Sequence, residues 1–194
     1  MKIFYKEGFD GLLNICENLA NKKKRAIIAI DGRAASGKTT VAGMIAERVG
    51  GCIVHADDFF LPPDMRTSER LRTPGGNIHH ERLASEVVEK LGESFDYGVF
   101  DCSVGKVTGK KHIEADCPVI IEGAYSASPI FGRYYDLLIF VSASYDVRME
   151  RIIKRNGKER AKMFENRWIP LEESYFEAFG TEDKADILLD TTDI

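Results

Sequence analysis

An apolar, β-branched stretch runs directly into a glycine-rich loop near the start of this chain. Ile27-Ile28-Ala29-Ile30-Asp31 is followed by Gly32-Arg33-Ala34-Ala35-Ser36-Gly37-Lys38-Thr39, with the spacing G-x-x-x-x-G-K-T. The stretch predicts a buried strand ending at Asp31, and the glycines let the backbone turn and aim successive N–H groups at one anion. Residues 39–49 predict a helix whose N-terminal dipole faces the same anion. Together these features predict a nucleotide-phosphate site rather than an ordinary glycine turn.

The residue types of this loop predict how it binds ATP and Mg²⁺. Lys38 adds a mobile positive charge beside the phosphates, and the Thr39 hydroxyl can reach a magnesium ion. The predicted ATP-binding residues of the loop are Gly32, Ala34, Ala35, Ser36, Gly37, Lys38, Thr39 and Thr40.

Length and periodicity predict one α/β domain over residues 1–194. Strand patterns alternate with helix patterns, which indicates a mainly parallel sheet with helices on both faces. The predicted strands are 26–31, 52–55, 118–123, 136–141 and 185–190, and the predicted helices are 9–19, 39–49, 81–91, 146–154 and 163–179. A β-hairpin is predicted within 97–113, a long acceptor-side loop at about 58–80, and a helical lid at about 154–164.

Composition excludes several classes of partner. The net charge of −4 argues against a general nucleic-acid binder. No apolar segment is long enough to span a bilayer, so we expect no membrane contact and a cytoplasmic protein. The four cysteines lie far apart without a C-x-x-C pair, which indicates neither a zinc site nor a disulfide framework; they are Cys16, Cys52, Cys102 and Cys117. We expect a small-molecule partner, and the sequence leaves a homo-oligomer open.

Acidic residues follow two of the predicted strands. Asp57 and Asp58 come just after the second strand, and Glu122 ends the strand 118–123. Ligands of open α/β sheets bind at the carboxyl ends of strands, so either aspartate can face the transferring phosphate as a base. The alternative is that both cap a turn. For Glu122 we expect a metal or substrate role, because Mg²⁺ prefers oxygen ligands; the alternative is a helix cap.

Basic residues crowd one predicted helix and its exit. Spacings of three and four residues place Arg148, Arg151 and Arg155 on one face. Asn156-Gly157 then permits a hinge, which suits a lid that closes arginines over phosphates. A solvated charged face is the alternative. Arg155 and Arg160 are the arginines that we expect to contact ATP.

With these residues assembled, the chain resembles the uridine kinase family of phosphate-loop kinases. That group includes nicotinamide riboside kinase and is related to phosphoribulokinase and bacterial pantothenate kinase. The resemblance is carried by residues 31–40, His55-Ala56-Asp57-Asp58-Phe59-Phe60-Leu61-Pro62, Phe100-Asp101, Ile121-Glu122-Gly123 and residues 148–156. It implies a three-layer P-loop NTPase fold with a small β-hairpin insertion and a helical lid. It also implies transfer of the γ-phosphate of ATP to a hydroxyl of a nucleoside or nucleoside-like acceptor.

The resemblance also implies roles for single residues. Asp57 would be the general base or would orient the acceptor hydroxyl, and Glu122 would organise magnesium and substrate. The predicted catalytic residues are Asp57, Lys38 and Arg155; the predicted metal-binding residues are Thr39 and Glu122. The predicted acceptor-binding residues are Asp57, Phe60, His79, Phe100, Glu122 and Arg151.

The departures from the family pattern fall in the acceptor half. His79 stands where nucleoside kinases of this family have a ribose-binding aspartate, Phe100 stands where a tyrosine is expected, and Asn156 replaces the lid acid. An acceptor of the pantothenate, sugar or glycerate type therefore stays open. So does a regulatory ATP-binding module without small-molecule turnover.

Overall fold

A six-stranded parallel sheet runs through the middle of the chain in the computed structural model, which describes residues 1–193 apart from the side chains at positions 4 and 7. The elements in chain order are β1 (Lys2–Phe4), α1 (Tyr5–Lys22), β2 (Ile27–Gly32), α2 (Lys38–Val49), β3 (Cys52–His55), α3 (Ser68–Arg72), α4 (His80–Glu86), β4 (Phe95–Asp101), β5 (Lys106–Ile113), β6 (Val119–Glu122), β7 (Leu137–Ser142), α5 (Tyr145–Asn156), α6 (Lys158–Met163), α7 (Ile169–Phe179) and β8 (Ile187–Asp190). The strand order is β1-β8-β7-β2-β6-β3, and every pair is parallel.

Apolar side chains alternate between the two faces of this sheet and form a core on each. On one face, Ile28 and Ile30 of β2 pack with α1 and α2. On the other face, Ile121 and Phe140 pack with α4, α7 and the β4–β5 hairpin. The result is three layers, as predicted. Both faces of the strands are covered, which explains their almost unbroken apolar sequences.

The predicted secondary structure is largely confirmed. The strand 52–55 has the predicted bounds, and the antiparallel β4–β5 hairpin lies within one residue or two of the predicted segment. The sequence missed β1, which is three residues long and pairs with β8 at the edge of the sheet. It also missed α3, which lies inside the predicted loop and is capped by the Thr67 hydroxyl. A strand or helix of so few residues has no measurable period.

Two helix boundaries differ for physical reasons. The predicted helix 81–91 ends at Glu86 as α4, and a short 3-10 turn covers Val88–Lys90. The predicted helix 163–179 begins with a π-helical turn over Phe164–Trp168 before α7, because Pro170 has no N–H to continue a regular ladder. The predicted lid contains the end of α5, Gly157 and the separate helix α6.

The prediction about two of the cysteines was wrong. Cys52 and Cys117 are joined as a disulfide across 65 residues of chain. Cys52 begins β3, and its N–H donates to the carbonyl of Pro118 at 2.8 Å, just before the neighbouring strand β6. The pairing therefore follows from strand order, which cysteine spacing does not reveal. Cys16 is a buried free thiol and Cys102 an exposed one.

No helix within the described residues has the length and apolar composition needed to cross a membrane.

Candidate active site

A cavity of about 790 Å³ lies at the carboxyl ends of β2, β3 and β6. The phosphate loop (residues 32–39), the segment after β3, the hairpin turn, the lid and α7 contribute to its walls. The sequence-predicted residues that line it are Ala34, Ala35, Gly37, Lys38, Thr39, Thr40, Asp57, Phe60, Glu122, Arg151, Arg155 and Arg160. The carboxyl edge of the sheet thus brings together most of the predicted site.

Two predicted loop residues shape the cavity without lining it. Gly32 has a φ of +140°, and a Cβ there would lie 2.0 Å from the carbonyl oxygen of Val141. Only glycine therefore allows the loop to leave β2 so close to β7. Ser36 is fully buried, and its carbonyl accepts a 2.7 Å hydrogen bond from the hydroxyl of Thr191.

Two predicted acceptor-binding residues lie away from the cavity wall. The Nδ1 of His79 accepts from the N–H of Arg82 at 3.3 Å and lies 3.1 Å from Glu81, so this side chain caps α4. Phe100 is 6% exposed and belongs to the hairpin. The helix-capping position explains the histidine in the sequence without any contact to an acceptor.

The side chain of Lys38 folds over the phosphate loop. Its Nζ donates to the carbonyls of Gly32 at 2.8 Å and Arg33 at 2.9 Å. Arg151, predicted to contact the acceptor, lines the cavity and braces the same loop: its guanidinium donates to the carbonyl of Ala35 and to Thr191. Both cations therefore lie where phosphate charge would be neutralised.

Helix α7 holds the phosphate loop from the other side. Glu172 Oε2 accepts from the N–H of Ala34 at 2.8 Å, and Glu173 pairs with the Arg33 guanidinium at 2.9 Å. Burial raises the pKa of the Glu172 carboxyl to about 7, against the opposing effect of Lys38. The carboxyl of Glu172 therefore accepts a hydrogen bond from one of the loop N–H groups that the sequence predicts to bind phosphate.

A buried carboxylate at the end of β2 fixes the loops around the cavity. Asp31 is fully buried and accepts hydrogen bonds from the N–H groups of Gly32, Tyr125 and Ala127 and from the hydroxyl of Tyr175. These donors come from the phosphate loop, the segment after β6 and α7. Asp31 therefore joins three walls of the cavity, a role that its sequence position as the last strand residue does not indicate.

The two adjacent aspartates face different surroundings. Asp57 lines the cavity, whereas Asp58 is 8% exposed and accepts from Lys111 at 2.9 Å and Tyr97 at 3.2 Å on the hairpin. The protein around Asp57 raises the pKa of its carboxyl by desolvation; Lys38 opposes this shift and Glu122 adds to it. A carboxylate that binds a proton more readily is suited to act as a base.

Thr39 and Glu122 lie next to each other in the cavity. The Thr39 hydroxyl donates to the Glu122 carboxylate at 3.2 and 3.3 Å, and His55 Nδ1 lies 2.5 Å from the same carboxylate. Gly123 has a φ of +134° and brings this strand end against Ala56, since a Cβ there would lie 2.8 Å from that side chain.

The Thr39 hydroxyl and the Glu122 carboxylate suit Mg²⁺ better than a metal whose ligands all come from protein side chains. Within the side chains that are described, no cluster of three or more histidine, cysteine, aspartate or glutamate residues could hold a metal. One hydroxyl and one carboxylate are the kind of donors that Mg²⁺ takes from a protein when it keeps waters and phosphate oxygens as its other ligands.

The lid contributes two further cations. Arg155, at the end of α5, donates to the side chain of Asn156 and lies 5.9 Å from the ring centroid of Phe164. Arg160, on α6, lines the cavity as well. Both side chains are exposed, so they can reorient toward a ligand.

Sequence reasoning missed several cavity residues. Glu172 and Tyr125 come from segments assigned to core packing or left unassigned, and Arg66 and Asn77 lie in the long loop. Two of these residues have unusual features. Glu172 is a buried acid, and Tyr125 has a positive φ of +74°. Neither feature can be read from the sequence.

Several known kinases are similar to this chain in sequence. A dephospho-CoA kinase of Aquifex aeolicus (strain VF5) is 31% identical over 166 residues, which are 75% of this chain and 82% of that protein. Uridine kinase-like protein 3 of Arabidopsis thaliana is 30% identical over 171 residues, 79% of this chain but only 36% of that longer protein. Bacterial uridine kinases match at slightly lower identity.

A solved structure shows the same fold. The "Possible Uridine Kinase from Bacillus stearothermophilus" superposes with a TM-score of 0.71 at 20% identity, and the match covers 95% of this chain and 98% of that one. No protein-family model matches. With its G-x-x-x-x-G-K-T loop and its similarity to a dephospho-CoA kinase and to uridine kinases, the chain belongs to the phosphate-loop kinases.

Proposed function

We propose that this kinase transfers the γ-phosphate of ATP to a hydroxyl group of a small-molecule acceptor. The observation that carries the proposal is one cavity lined by Asp57, by Lys38 of the phosphate loop and by the lid arginines. Phosphoryl transfer needs mainly positioning and charge neutralisation, together with a base near the attacking hydroxyl.

Each residue then has a chemical task. The amides of the phosphate loop bind the β- and γ-phosphates, and Lys38 moves from the loop carbonyls to the phosphate oxygens. Asp57 orients the acceptor hydroxyl and accepts its proton as the new O–P bond forms. Arg155 and Arg160 close over the phosphates and neutralise the charge that develops during transfer.

Thr39 and Glu122 are the residues that would hold Mg²⁺, which when bound neutralises charge on the phosphates of ATP. In the protein without ligands their hydrogen bond keeps both oxygens at one place in the cavity.

The relatives do not identify the acceptor, because kinases named for different acceptors match this chain at similar sequence identity. The resemblance implies a nucleoside acceptor. His79 gives this acceptor no support, because its side chain caps α4.

A coupled assay of ADP release tests the proposal. Purified protein with ATP and Mg²⁺ is mixed with single acceptors, among them uridine, cytidine, nicotinamide riboside, pantothenate, glycerate and sugars. We expect a slow background that at least one acceptor raises, with one phosphorylated product formed per ADP. ATP hydrolysis that no acceptor changes would contradict a small-molecule kinase and would favour the regulatory module.

A further inference from the structure

The acceptor-side loop (residues 58–80) contributes a cation to the cavity wall. Arg66 lies in the segment after β3 and lines the cavity. Its Nε donates to the carbonyl of Leu61 at 2.8 Å, which fixes the plane of the guanidinium. Among the side chains that the structure describes, no acidic group forms an ion pair with it. Its two terminal nitrogens are therefore preset for an anion from outside the chain.

Two polar side chains gather around the same backbone segment. The N–H of Leu61 donates to the carbonyl of Asn77 at 3.1 Å, so Arg66 and Asn77 both bond to the backbone of Leu61. The side chain of Asn77, 7% exposed, lies beside that of Tyr125, and all three residues line the cavity.

The hydroxyl of Tyr125 is the least satisfied of these groups. The residue is 2% exposed, and within the described part of the chain its hydroxyl makes no hydrogen bond of normal geometry. A buried hydroxyl without such a bond is costly unless a ligand supplies one. Its backbone has a φ of +74°, a strained conformation that holds the ring in place.

The hairpin turn relates this wall to the catalytic aspartate. Cys102 lines the cavity and interacts electrostatically with both Asp57 and Arg66, whose charges shift the pKa of its thiol in opposite directions. The turn also packs on the loop, because a Cβ on Gly105 would lie 3.0 Å from Pro63. Asp57, Cys102 and Arg66 therefore line one cavity.

Charge separates the two halves of the cavity. Lys38, Arg155 and Arg160 are grouped with the phosphate loop and lid, where they serve the phosphates of ATP. Arg66 comes from the acceptor-side loop and has no task there. A neutral nucleoside would leave this cation without an opposite charge.

On the basis of the kinase function proposed above, we propose that the acceptor is an anionic hydroxy compound: its carboxylate or phosphate group binds Arg66, Asn77 and Tyr125 while its hydroxyl faces Asp57. Transfer then makes the bond between that hydroxyl oxygen and the γ-phosphorus, breaks the bond to ADP, and passes the hydroxyl proton to Asp57.

Cys102 gives a reporter that does not depend on turnover. Cys16 is buried and Cys52 and Cys117 are paired, so in residues 1–193 Cys102 is the accessible thiol. Its alkylation by iodoacetamide is followed by mass spectrometry of the peptide, with ADP and Mg²⁺ present so that probes do not bind at the phosphate loop.

Matched pairs of probes isolate the anion: D-glycerate against glycerol, pantothenate against pantothenyl alcohol, gluconate against sorbitol, and glycerol 3-phosphate against glycerol. We expect at least one acid to slow alkylation at a concentration about tenfold below that of its neutral partner. Whether a carboxylate or a phosphate probe slows alkylation more shows which anionic group the site binds. ADP release with ATP should favour the same acid.

Variants then assign the effect. Arg66→Gln should abolish the preference for the acid, and Arg66→Lys should restore part of it. Tyr125→Phe keeps the aromatic ring and removes only the hydroxyl, so it should weaken protection severalfold. Arg72→Gln, an exposed arginine of α3, is the matched control and should change neither.

The outcomes separate this inference from the proposed function. If no acid protects Cys102 better than its neutral partner, or if the preference survives Arg66→Gln, the anionic site is wrong, even when ADP release shows a kinase. If an acid protects in an Arg66-dependent way but nothing is phosphorylated, the anionic site stands and the kinase proposal fails.

Discussion

Glu172 Oε2 accepts a 2.8 Å hydrogen bond from the backbone N–H of Ala34. A side chain of α7 is therefore the hydrogen-bond partner of one N–H group of the phosphate loop. Glu172 is 8% exposed, and burial raises the pKa of its carboxyl from 4.5 to about 7. Helix α7 is thus part of the phosphate site, and the protonation of this carboxyl is linked to the stability of the fold.

This linkage predicts a pH dependence that one substitution removes. Because the folded protein binds the proton of Glu172 more tightly than the unfolded chain, the resulting stabilisation is complete below about pH 4.5 and is lost as pH rises through about 7. Glu172→Gln still accepts from Ala34 but does not titrate. Between pH 4.5 and 8, the free energy of unfolding of the wild type should fall by at most about 3 kcal/mol relative to that of Glu172→Gln.

Urea unfolding at several pH values measures this difference. Glu177→Gln, on the exposed side of the same helix, is the control and should track the wild type. A constant difference between wild type and Glu172→Gln across the range would show that the carboxyl titrates normally.

Gly32→Ala tests why the loop begins with glycine. A methyl group there would lie 2.0 Å from the carbonyl oxygen of Val141, at a φ of +140° that alanine strongly disfavours. We expect loss of several kcal/mol of stability or failure to fold, together with loss of ATP binding. Gly43→Ala, within α2 and without a neighbour inside 4 Å, should instead stabilise by about 0.5–1 kcal/mol. Thermal melts and nucleotide binding distinguish the two; a stable Gly32→Ala variant that binds ATP would refute the steric argument.

The disulfide predicts a redox-dependent stability. Closing 65 residues of chain between Cys52 and Cys117 should stabilise the oxidised protein by about 4 kcal/mol through the entropy of the unfolded chain. Urea midpoints with and without reductant measure this, and Cys52→Ser should unfold like the reduced wild type under both conditions. Cys102→Ser, which removes an exposed free thiol, should keep the full dependence on reductant. Equal midpoints in oxidised and reduced wild type would show that the bond contributes nothing.

The donor half of the site could be predicted because its chemistry is local in sequence. The phosphate loop carries its glycines, Lys38 and Thr39 within eight consecutive residues, and Asp57 and Glu122 each follow an apolar strand. Parallel strands bring such strand ends to one edge, so the fold class alone predicted that these residues meet.

The acceptor half could not be predicted because its parts are distant in sequence and lack a common pattern. Arg66, Asn77 and Tyr125 meet only through the backbone of Leu61 and the end of β6. His79 attracted attention as an imidazole in a loop, yet it is a helix cap. The disulfide likewise depends on β3 and β6 being neighbours, which the strand order establishes and the sequence does not.

The central claim, that Asp57 prepares an acceptor hydroxyl for attack on ATP, is tested most directly by Asp57→Asn. With an acceptor identified by ADP release, turnover should fall by a factor of about 10²–10⁴, because a positioned base is lost. The dissociation constant of ATP should change by less than about threefold, since the phosphate loop is untouched. Asp64→Asn, an exposed acid outside the cavity, should retain full activity. Acceptor-dependent turnover at the wild-type rate in Asp57→Asn would contradict the account.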